Sequence, residues 1–148
     1  MPFTNSNDFL TGRKPVLFPA GSEVVAVRAE VSLVAADLDA NDAGSVLILP
    51  AGCVPVGLVY DSDDLDTNAS PTITASVGFM NDADTDLATV LATGIQSSRD
   101  GTASAVVTKE LMRVTASASD RRLGVKFTAA AATKAAGALG LTLLYRAV

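Results

Sequence analysis

The stretch from Val46 to Asp66 constrains the fold more than any other part of the chain. An apolar run is broken by Pro50-Ala51-Gly52, resumes from Cys53 to Tyr60, and stops at Asp61, Asp63, Asp64 and Asp66. Proline removes a backbone donor and glycine permits positive φ, so Pro-Ala-Gly neither continues a helix nor stays in a ladder. The pattern is strand, corner, strand, acidic loop. Beyond the corner, Val54, Val56, Leu58 and Tyr60 fall on one face of an extended segment, and Pro55, Gly57 and Val59 on the other. Both faces avoid charge, which predicts cover on both sides by a second sheet, a neighbouring segment or another subunit.

Period-two alternation recurs along the chain. Val25, Val27, Ala29, Val31 and Leu33 alternate with more polar neighbours, as do Ile73, Ala75, Val77 and Phe79, then Leu123, Val125 and Phe127, then Leu139, Leu141, Leu143 and Tyr145. Each reads as a half-buried strand. Ser45 to Leu49, Ala103 to Thr108 and Leu111 to Ser117 add shorter ones. Asp86 to Gly94 is the best helix candidate, with acids at its start and Gly94 to stop it. The alanine run 129–137 reads as a connection, since poly-alanine offers no apolar stripe. With 148 residues, one core is expected. The predicted fold is all-β, an antiparallel sandwich or jelly roll of about eight strands with one short helix, spanning 21–148 behind an extended N-terminal arm, 1–20.

That arm holds three of the five phenylalanines and no regular pattern. It is either pinned along its own domain or used to grip a neighbour. Its apolar residues, Phe3, Phe9, Leu10, Val16, Leu17 and Phe18, are the candidate partner-interface residues.

Catalytic equipment is sparse. The chain has no histidine and one cysteine, which excludes an intrachain disulfide, hydrolase triads and most zinc sites. Cys53 reads as a small core residue. Three Asp-rich loops, around residues 37–44, 61–66 and 81–86, suggest calcium, but the first places Asp42 where an EF-hand needs glycine and Ile48 where it needs a bidentate glutamate. All three read as solvated loops, with an ion shared between loops or subunits as the alternative. No catalytic residue, metal ligand or cofactor site is assigned, and an enzyme is not expected.

The net charge of -5 argues against nucleic acid. The charge is unevenly spread: Glu23 to Asp86 contains twelve acids against Arg28 alone, whereas eight bases face three acids from Arg99 onward. Such asymmetry permits head-to-tail association, unless the halves interleave and their charges mix. The uncharged run from Val46 to Tyr60, interrupted by two prolines and two glycines, is too short to span a membrane, and the N-terminus lacks the features of a secretory signal.

Leu49-Pro50-Ala51-Gly52-Cys53-Val54-Pro55-Val56-Gly57-Leu58, then Asp64-Leu65-Asp66-Thr67, then Ile73 to Phe79, and finally Gly124 to Thr128 with Gly140 to Tyr145, resemble small virion structural proteins of tailed bacteriophages. The resemblance implies a β-sandwich present in many copies, as a capsid decoration (cement) protein on the outer surface of the shell, made in the host bacterial cytoplasm. Its implied partners are the major capsid protein and copies of itself, as a dimer or trimer, without nucleic acid, membrane or small-molecule substrate. A tail or head-to-tail junction component is the alternative within that group. A carbohydrate-binding or host-adhesion sandwich is the alternative outside it, disfavoured by the absence of tryptophan.

Overall fold

The computed structural model describes residues 1–21 and 23–148. Eight strands form two four-stranded antiparallel sheets. They are β1 (Val24–Leu33), β2 (Ala43–Leu49), β3 (Cys53–Ser62), β4 (Thr74–Met80), β5 (Leu87–Ile95), β6 (Ala103–Val106), β7 (Arg121–Ala129) and β8 (Gly137–Ala147). One helix, α1 (Lys109–Met112), lies between β6 and β7. The sheet orders are β1-β8-β3-β6 and β2-β7-β4-β5.

The pairing is nested: β4 with β5, β3 with β6, β2 with β7, β1 with β8. The chain therefore behaves as one long hairpin that has rolled up, and β3–β8 and β4–β7 are the pairs that close the roll. This is a jelly roll. Nesting also interleaves the two halves of the sequence. Arg122 pairs with Asp84 at 3.4 Å, Lys126 with Asp86 at 2.9 Å, and Lys134 with Asp39. Three acids of the first half are thus paired with bases of the second within the molecule.

The core is aliphatic and lies between the sheets. Leu58 and Tyr60 of β3, Leu141, Leu143 and Tyr145 of β8, Val77 of β4 and Val125 and Phe127 of β7 are at most 1% exposed. Each such side chain contributes about 1.5–3 kcal/mol by leaving water. The corner turns at Gly52, whose φ of 78° a side chain would strain. Its N–H donates to the Ser117 carbonyl at 2.9 Å, and the Ala51 N–H to the Asp120 carboxylate at 2.8 Å.

Four sequence expectations need correction. Residues 86–94 are not a helix but the edge strand β5. Three register shifts against β4 insert extra residues, so the inward Leu91 and Ile95 recur every four positions instead of two and imitate a helical period. Leu111 to Ser117 is not a strand. The Thr108 hydroxyl caps α1 by accepting the Leu111 N–H at 3.1 Å, and Leu111 is fully buried. In β3, a shift between Pro55 and Gly57 leaves Val56 unpaired. Cys53 and Pro55 therefore share the inner face with Leu58 and Tyr60, and Val56 does not.

The fourth concerns two of the acidic loops, in which Asp37, Asp42 and Asp66 are buried, whereas the 81–86 loop is open to solvent as expected. Asp66 is 1% exposed, and its carboxylate accepts five backbone N–H groups. Oδ2 takes those of Thr72 at 2.8 Å, Ile73 at 3.2 Å and Ala132 at 2.9 Å, while Oδ1 takes those of Thr133 at 2.9 Å and Asn68 at 3.3 Å. The carboxylate fastens the β3–β4 connection to the β7–β8 connection, two of the crossovers between the sheets. Burial pushes its pKa up, but the N–H donors of Thr133, Ala132, Thr72 and Ile73 outweigh burial and hold it well below the usual carboxylate range. Asp37 is likewise buried and holds the Val34 N–H at 3.0 Å, and Asp63 takes the Ala138 N–H at 2.8 Å.

Because the folded-state pKa of Asp66 is lowered, its contribution is fully present above the unfolded value of about 4 and is lost as pH falls toward the folded one. Replacing Asp66 by Asn leaves donors unpaired and costs about 2–4 kcal/mol at pH 7. Denaturant titrations from pH 7 to 3 test this: the wild-type advantage over Asp66→Asn shrinks with acid, and a constant difference would contradict it.

Candidate interface surface

The N-terminal arm is pinned across one open edge of the roll. Pro2 forms an isolated parallel bridge with Ala43 of β2, the Phe3 N–H donates to the Ala43 carbonyl and the Ala43 N–H to that of Met1, each at 3.1 Å. Thr4 donates to the buried Asp37 carboxylate through its N–H at 3.0 Å and its hydroxyl at 2.8 Å. The Asn5 amide donates to the Ser32 carbonyl of β1 at 2.8 Å, and that of Asn7 to the Val46 carbonyl of β2 at 2.5 Å. The arm thus joins the exposed edges of both sheets, which would otherwise be templates for strand pairing.

Phe3 enters the roll through a space left by Gly44. A Cβ on Gly44 would lie 2.5 Å from the Phe3 ring, and the ring centroid is 5.9 Å from that of Phe127. Of the sequence-predicted interface residues, Phe3 and Phe9 pack against the core, and Leu10 and Val16 are half-buried. Leu17 and Phe18 turn outward, 54% and 60% exposed. The structure therefore divides the six into an inward and an outward group. The outward pair sits at the corner end, where the Tyr145 hydroxyl donates to the Leu17 carbonyl and Phe18 lies over Gly52. Burial, then the neighbouring Cys53, pushes the Tyr145 pKa up to about 12, so the phenol keeps its proton for this bond.

The two outer sheet faces differ in character. On the β2-β7-β4-β5 sheet the outer face carries the Arg122–Asp84 and Lys126–Asp86 pairs and the Ser76–Thr93 hydroxyl contact. On the β1-β8-β3-β6 sheet, successive cross-strand rows are Ala26, Leu144 and Gly57, then Arg28, Thr142, Val59 and Ala105. Arg28 leaves the centre of this face to Asp61 and Glu30 at its margin, at 2.6 and 3.0 Å. What remains between that cluster and Arg146 is uncharged, with Gly57, Val59, Thr142 and Leu144 half-buried. A single antiparallel sheet facing water is normally polar on that side. This is the outer half of the two-sided apolar pattern that the β3 sequence displays.

Cys53 is fully buried, and burial, then Asp120, raises its thiol pKa. Among the described residues no three His, Cys, Asp or Glu side chains come together as metal ligands. No helix is long and apolar enough to cross a membrane. Tyr60 and Tyr145 are fully buried, so Phe18 is the one exposed aromatic among the described residues.

The same architecture occurs in a chain from the capsid of Ralstonia phage GP4, with 30% sequence identity over 97% of each chain and a TM-score of 0.86. The protein belongs to the structural proteins of the bacteriophage virion. A chain of the cyanophage Pam1 capsid asymmetric unit is similar to this virion protein at 26% identity over the full length of both, with a TM-score of 0.69. A chain from the acid-stable capsid of Helicobacter pylori bacteriophage KHP30 shares the fold alone, at 15% identity over 84% of this chain and 92% of that one, with a TM-score of 0.51. No protein-family model and no curated protein matches the virion protein. The sequence resemblance therefore reached the right class from short motifs around the corner and the β4 strand. It did not reveal the contrast between sheet faces, which needs the cross-strand register.

Phe3→Ala is expected to destabilise the fold by about 1–3 kcal/mol and Gly44→Ala by a similar amount, through expulsion of the ring. The two changes share one space, so the double variant loses less than the sum by at least about 0.5 kcal/mol. A double-mutant cycle by urea denaturation measures it, and strict additivity would place Phe3 elsewhere.

Proposed function

We propose that the protein decorates a bacteriophage capsid, binding the outer surface of the shell in many copies and stabilising it without a catalytic step. The observation that carries this reading is the uncharged patch around Gly57, Val59, Thr142 and Leu144 on the outer face of the β1-β8-β3-β6 sheet, on a chain built like those of phage capsids. An apolar, charge-poor surface rimmed by Arg146 on one side and Arg28, Asp61 and Glu30 on the other has the composition of a protein interface core with a polar rim. The major capsid protein is the partner assigned to this face. Copies associate with one another at the remaining surfaces, and many modest contacts repeated by symmetry supply avidity.

Residues 21–148 act in this reading as the body and 1–20 as a strap. Truncating the whole strap would remove Phe3 from the roll and confuse stability with binding. The informative variants lie on the sheet face instead. Val59→Lys and Leu144→Lys, both outward and half-buried, are expected to weaken co-sedimentation with undecorated shells at least tenfold while the melting temperature moves by a few degrees. Thr128→Lys, on the opposite sheet, should bind as the wild type does. Equal binding by all three would remove this face from the interface, and recovery of the protein with tails instead of shells would remove the decoration reading.

A further inference from the structure

The side of the roll away from the arm carries a second apolar surface, separate from the uncharged sheet face. Helix α1 closes that side incompletely: Val107, Met112 and Val90 are 69, 51 and 49% exposed. Beside them runs a groove of about 380 Å³, with Phe79, Val90, Leu91 and Val114 among its walls and two cations, Arg113 and Arg121, against one carboxylate, Glu110, at its margin. The Arg121 guanidinium stacks 4.6 Å above the Phe79 ring. Arg113 is exposed and no carboxylate among the described residues pairs with it. An occupant that fits would bring large apolar side chains for the walls and a carboxylate for the margin.

The chain itself presents that combination. Leu17 and Phe18 are the one pair of adjacent, exposed, large apolar residues among those described. Pro15 and Pro19 bracket them and restrict the backbone, which lowers the entropy lost on docking. The exposed Glu23 follows, its carboxylate accepting the Ala20 N–H at 2.8 Å. We propose that Leu17 and Phe18 of one copy seat in the Phe79–Val90–Val114 groove of the next, with Glu23 of the first facing Arg113 of the second. The proposal rests on the reading that many copies sit side by side on one shell. Knob and groove are different surfaces, so the contact is heterologous and repeats around a ring or along a lattice.

The contact is tested with the full chain bound to shells and, separately, in concentrated solution. Phe18→Cys and Val90→Cys are prepared singly and mixed in equal amounts; Cys53 is buried and common to both. Mild oxidation of the mixture is expected to give disulfide-linked dimers that neither variant gives alone. Arg113→Glu is expected to weaken self-association at least tenfold, and adding Glu23→Arg to restore it. Dimers formed equally by Phe18→Cys alone, no dimers from the mixture, or charge reversal without restoration would overturn the contact. If the wild type fails to bind shells, the decoration reading fails, and the oxidised mixture in solution then decides the knob-and-groove contact independently.

Discussion

The buried carboxylate of Asp66 sits where the rolled hairpin closes on itself. The β3–β8 and β4–β7 pairs are the ones that turn a long hairpin into a jelly roll, and both crossovers that feed them pass this side chain. Connections between sheets have no ladder of their own, so their N–H groups need partners from elsewhere. Asp66 supplies acceptors to five of them at once. The neighbouring connections join the same end: the Leu65 N–H donates to the Ser98 carbonyl, the Ala131 N–H to that of Leu38, and the Arg99 guanidinium to that of Ile73. A charge buried without such partners would be strongly unfavourable. With them, it holds two connections together, and the neighbouring backbone bonds tie two further loops to the same end.

From that closure follow the two sheet faces on which the proposed function rests. The register of β1, β8, β3 and β6 is what lines up Ala26, Leu144, Gly57, Thr142 and Val59 on one outer face, and the register of the opposite sheet is what gathers its charges into pairs. The arm then spans the β1 and β2 edges, using Phe3 as a plug and Asn5 and Asn7 as ties. A protein that must remain folded while repeated many times on a particle benefits from having its edge strands occupied, because free edges invite irregular pairing.

Much of this was legible in the residues. Alternation in β1, β4, β7 and β8 located four strands, and Pro50-Ala51-Gly52 located the corner. The absence of histidine removed most catalysis from consideration, and the motifs near the corner pointed to a phage virion. What stayed hidden was whatever depends on non-local geometry. The bulges of β5 turn a period of two into one of four, and Val56 shifts the inward face of β3 by one residue. The loop aspartates look solvent-bound in sequence because the N–H groups they accept come from segments up to 75 positions away. The arm likewise offers six apolar residues with no sign of which face inward, a choice made by the space above Gly44.

The central claim is that this jelly roll sits on the outside of the capsid with its uncharged sheet toward the shell. Electron cryomicroscopy of purified particles tests it most directly. The account predicts density for the protein on the outer surface in many copies, with Val59, Thr142 and Leu144 against the capsid protein and the Arg122 and Lys126 face toward solvent. Density confined to the tail or the junction, or the charged sheet lying against the shell, would contradict it.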